Sequence, residues 1–63
     1  MNYVYGWAYP DDLEDMVVCG FLNVEAAQRW LKVWSDPGEV VLVRVVTSHG
    51  EWDMSTVELV KGL

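Results

Sequence analysis

Two groups of side chains in this sequence have the type and spacing to do chemistry, and in both the chemistry is recognition rather than bond-making. Tyr3, Tyr5, Trp7 and Tyr9 alternate along one stretch, so a β-strand would bring four aromatic rings to one face and leave Val4, Gly6 and Ala8 on the other. Asp11, Asp12, Glu14 and Asp15 follow at once, a dense group of carboxylates able to meet the lysines and arginines of a partner. Solvation of a loop is the commonest role for such a run. Its functional alternative is an acidic surface that imitates the phosphates of a nucleic acid in front of a nucleic-acid-binding protein.

Other chemistries find little to work with. The acidic run lacks the alternate oxygen ligands and central glycine of a calcium loop, so no metal is expected, and no motif calls for a cofactor. His49 stands beside Ser48, but neighbours in a tight turn rarely converge as nucleophile and base, and a short chain has little volume with which to exclude water. The expectation is a protein that is not an enzyme. Cys19 is the single cysteine, in the apolar run Met16-Val17-Val18-Cys19-Gly20-Phe21-Leu22, with no basic residue near it in sequence to lower its pKa; it reads as a structural thiol.

Composition narrows the partners. A chain of 63 residues makes one domain that buries only about 60% of its unfolded surface, so its stability margin is thin. With 52% hydrophobic residues and four Trp it carries far more apolar material than a disordered acidic tail. Ten carboxylates against four Lys and Arg leave a net charge of −6, which opposes direct binding to nucleic acid and to an anionic membrane. An aromatic row on a sheet could stack bases, but Arg29, Lys32, Arg44 and Lys61 are too scattered to form the basic groove such platforms need. No basic segment precedes an apolar stretch, and the apolar runs are too short to span a bilayer. The absence of a disulfide framework favours a reducing compartment, and the expectation is a soluble, cytoplasmic protein.

The elements follow from periodicity. Asn2–Tyr9 reads as a strand with period two, stopped by Pro10 and the clustered acids of 11–15, and Met16–Leu22 reads as its hairpin partner. Asn23 is placed as an N-cap, and Ala27, Trp30, Leu31 and Trp34 then fall at helical spacing until Ser35-Asp36-Pro37-Gly38 closes the helix. Glu39–Thr47 is apolar on both faces, as a central strand would be. Ser48-His49-Gly50 forms a tight turn into an edge strand over 51–60, where a bulge near Ser55-Thr56 would turn Trp52, Met54, Val57 and Leu59 inward.

The predicted fold class is α+β, a single domain over residues 1–63 with a four-stranded antiparallel sheet, one helix packed on one face, element order ββαββ and strand order 2-1-3-4. One helix covers only one face. Because Gly6 and Ala8 would make room beneath Trp30 and Trp34, the expectation places the helix over the small residues and leaves Tyr3, Tyr5, Trp7 and Tyr9 open to a partner, together with Asp11, Asp12, Glu14 and Asp15. The converse arrangement makes the rings the core.

In size and acidity the chain resembles the small phage-encoded proteins that inhibit host enzymes, including RNA-polymerase inhibitors and anti-CRISPR proteins. The resemblance lies in general character and assigns no residue roles. It implies a small acidic inhibitor or modulator acting in a host cytoplasm on a basic, nucleic-acid-binding protein. The second expectation is a homodimer or other homo-oligomer, a structural or accessory subunit whose aromatic sheet face packs against its own copy.

Overall fold

Alternating large and small side chains make Asn2–Tyr9 a strand, β1, and the computed structural model, which describes residues 2–33 and 39–60, builds a sheet around it. The other elements are β2 (Asp12–Phe21), α1 (Val24–Val33), β3 (Val41–Ser48) and β4 (Glu51–Leu59). All neighbouring strands are antiparallel in the order β2-β1-β3-β4, so β1 and β3 are central and β2 and β4 are edges, as the short connections require. The sheet is curled, and its two edges approach each other.

Local chemistry accounts for the joins. Asn23 caps α1, its Oδ1 accepting the Ala26 backbone N–H at 2.8 Å. Glu25 then sits in the first turn and Lys32 in the last, each at the end of the helix dipole that favours its charge. The β3–β4 turn places His49 at φ 55° and Gly50 at φ 78°, the two positive values of a type I′ hairpin, and Ser48 pairs with Glu51 across it. Trp34 and the closing residues Ser35, Asp36, Pro37 and Gly38 lie outside the described residues.

Register assigns the faces. Trp7 lies opposite Val18 and Leu42, and Tyr5 opposite Phe21 and Arg44, so these side chains share one face. Gly6 lies opposite Cys19 and Val43, and Val4 opposite Val45, on the other. The helix covers the first of these faces. Trp7, Ala27 and Leu42 form the buried cluster, with Tyr5, Val18, Phe21, Val24, Trp30 and Leu31 packed around it.

This overturns the expectation that α1 lies over Gly6 and Ala8. The physical reasons are visible at both faces. The Trp7 Nε1–H donates to the Ala27 carbonyl at 2.8 Å, so the buried indole has the polar partner it needs only if the helix lies above it. Gly6 is small for a different purpose: a Cβ there would collide with the Val18 carbonyl oxygen and stand 2.9 Å from the Cys19 Cα, because β2 crowds against β1 at this point. The inner face is nonetheless buried, with Ala8, Val43 and Val45 fully enclosed and Val4 nearly so. Its cover is the curl of the sheet itself.

The acidic run also departs from expectation. The turn is only Pro10 and Asp11, since Tyr9 already pairs with Asp12, and β2 begins there rather than at Met16. Leu13, Glu14 and Asp15 lie between the paired positions Asp12 and Met16 without a partner on β1, an irregularity that lets the strand continue through residues expected to form a loop. In β4, the pairing Val46↔Asp53 gives way to Arg44↔Glu58, which places a wide bulge over residues 54–57. Trp52 opposite Thr47 and Leu59 opposite Val43 consequently share the inner face, while Met54 and Val57 are half-buried.

Candidate functional site

The structure separates the residues that sequence reasoning grouped as one binding surface. Trp7 is 6% exposed beneath α1, and Tyr5 is half-buried against the same cluster. Neither stands open to a partner as expected, because the helix lies on their face. The outer two rings of the row remain at the surface. Tyr3 lies under the Arg44 guanidinium, 4.6 Å from ring centroid to Cζ, a cation–π contact that Glu58 extends by pairing with Arg44. The Arg44 pKa is raised, first by its hydrogen bond to Glu58. With Tyr5, Tyr3 also lines a surface cleft that includes Leu22, itself 80% exposed.

Tyr9, at the other end of β1, is 43% exposed and pairs with Asp12. Register therefore brings Tyr9 to the acidic end of the molecule, where Asp11, Asp12, Glu14 and Asp15 are all exposed along the turn and the first half of the β2 edge. Local structure holds this end in shape: the Glu14 backbone N–H donates to Asp12 Oδ1 at 3.2 Å. Among the described residues the one ion pair is Arg44 with Glu58, so none of these four carboxylates has its charge met by a cation among them. The result is an uncompensated anionic strip with one phenol beside it.

Two groups considered for catalysis are also placed. Ser48 Oγ and His49 Nδ1 are 3.1 Å apart, closer than adjacency in a turn suggested, but both are exposed on the β3–β4 hairpin, where water competes for the same contact. Cys19 is half-buried on the inner face opposite Gly6, and burial pushes its thiol pKa up, against the direction that would make a nucleophile. Among the described residues no group of three or more His, Cys, Asp or Glu is placed to hold a metal ion. No described helix is long and apolar enough to cross a membrane.

Sequence reasoning turned Trp52 inward but missed what it meets there. Its indole reaches from β4 across the inner face to Gly20 of β2, and no local pattern announces a contact between the two edges of a sheet. No protein-family model, curated protein or solved structure matches the chain.

Proposed function

We propose that this protein is an acidic interaction module that binds a basic, nucleic-acid-binding protein through its β1–β2 hairpin end, and that it inhibits or modulates that protein by occupying its nucleic-acid site. The observation that carries the reading is the exposed strip of Asp11, Asp12, Glu14 and Asp15 with no cation against it among the described residues. Carboxylates on an ordered strand edge keep their spacing in the free protein, so they attract a cationic surface without the cost of ordering a loop first. Tyr9 adds a ring with a polar tip, the kind of side chain enriched at protein interfaces. The homo-oligomer reading is left with less of the aromatic row to bury, because α1 packs over Trp7 and Tyr5 and only Tyr3 and Tyr9 stay exposed.

The test is affinity capture followed by competition. A protein retained at low salt is purified, and its binding kinetics are measured at two salt concentrations with and without duplex DNA. DNA should compete, and Asp11→Asn together with Asp12→Asn should slow association by roughly threefold or more and flatten its salt dependence. Equal association by the Asn variant, or simultaneous binding of DNA, would sink the proposal.

A further inference from the structure

The two edges of the sheet touch without a hydrogen-bonded ladder between them, since β2 and β4 stand at opposite ends of the strand order. At their contact the Trp52 indole lies against Gly20. An ideal Cβ at Gly20 would be 3.3 Å from Trp52 Cζ2, tight enough that a side chain there would press on the ring. Gly20 is also the extra residue of a bulge, lying between Cys19 and Phe21, which face Gly6 and Tyr5, and its φ of 114° is one that residues with a Cβ rarely adopt. Backbone and side chain thus leave the same space open, and Trp52 fills it. The indole is held on one side only, being 48% exposed.

The strand that carries Trp52 is attached to its neighbour in two separated stretches. Ser48, Thr47 and Val46 pair with Glu51, Trp52 and Asp53; Arg44 and Val43 pair with Glu58 and Leu59; residues 54–57 lie between. Across the interruption the Val46 N–H donates to Thr56 Oγ1 at 2.9 Å, and Thr56 Oγ1 donates to the Asp53 carbonyl at 2.6 Å. A ladder replaced by a side-chain bridge bends more readily than a continuous one.

We propose that the curled sheet is a closable clamp: the hairpin end of β4 swings at the 54–57 bulge, the Trp52–Gly20 contact opens locally, and the inner face with Val4, Val43, Val45 and Cys19 is uncovered while the helix-side core stays folded. Trp52 is the latch. Cys19, half-buried on that face, is a natural reporter of the opening.

The experiment measures the rate at which an aromatic disulfide reagent labels Cys19 in the full chain at fixed pH and increasing urea, below the unfolding transition. In the wild type the rate should be at least about tenfold below that of the unfolded chain and nearly independent of urea, because a local opening exposes little new surface. Trp52→Ala should raise the rate roughly tenfold with the far-ultraviolet circular dichroism retained. Trp30→Ala, on the helix side, should change labelling only through global stability, with a steep urea dependence. Wild-type labelling as fast as in the unfolded chain would show that the face is never covered. A rate that follows global unfolding would overturn the clamp, as would a folded Trp52→Ala protein labelled at the wild-type rate. If Trp52→Ala does not fold, the urea dependence of the wild type decides alone.

Discussion

On the helix side of the sheet large rings do the covering, with Trp7, Tyr5, Phe21 and Trp30 gathered around Leu42 and Ala27. On the inner side the buried residues are Val4, Ala8, Val43 and Val45, and Gly6 lets two backbones close together. A domain of this size has one helix to spend and two apolar sheet faces to bury. It solves the second by curvature, which demands small side chains on the inside of the bend and tolerates bulky ones outside. The size of the residues on a face therefore says how that face is buried, not whether a partner covers it.

The largest blow to this contrast should come from Trp7→Ala. It removes a buried indole and the hydrogen bond to Ala27, and by the usual cost of large-to-small core changes it should destabilise by about 3–5 kcal/mol, read from urea unfolding. A near-wild-type midpoint would mean that α1 does not rest on Trp7. Gly6→Ala attacks the other side with the addition of one methyl. Because that carbon meets backbone rather than a movable side-chain tip, a loss of roughly 1–3 kcal/mol is expected, and a silent substitution would show that β1 and β2 are not pressed together there.

Asn23→Ala tests the helix side more gently. Loss of the cap to Ala26 should cost about 1 kcal/mol and lower the helical signal, while the covering of Cys19 on the inner face should hold. The smallest effect concerns pH. Burial raises the Cys19 thiol above its ordinary value of 9.0, so the folded state retains a proton that the unfolded state has already lost. Unfolding then releases protons, and this contribution to stability is fully present below pH 9.0 and declines above it as pH rises toward the folded-state value. The difference in stability between the wild type and Cys19→Ala isolates the effect from tyrosine ionisation: it should be flat at neutral pH and shrink in alkali. A difference that grows with pH would place the thiol in a polar site.

The four strands, the helix with its Asn23 cap, the strand order and the bulge in β4 were all legible, because each rests on residues close in sequence: period-two alternation, helical spacing, turn residues and the shortness of the joins. The start of β2 was not. Carboxylates at 12, 14 and 15 favour turns locally, and only pairing of Tyr9 with Asp12 draws them into the strand.

Of the candidate surface, sequence alone determined the acidic residues and their exposure, since four carboxylates with no local cation have nowhere favourable to go but water. The fate of the aromatic row was decided by the tertiary structure. Alternation shows that Tyr3, Tyr5, Trp7 and Tyr9 share a face, but a strand pattern is unchanged by turning it over, and the side chosen depends on contacts between residues far apart in the chain. Trp7 found the Ala27 carbonyl, Gly6 admitted the backbone of β2, and Trp52 found Gly20 across the curl. These long-range fits put Trp7 and most of Tyr5 under the helix and left Tyr3, Tyr9 and the acidic hairpin end at the surface.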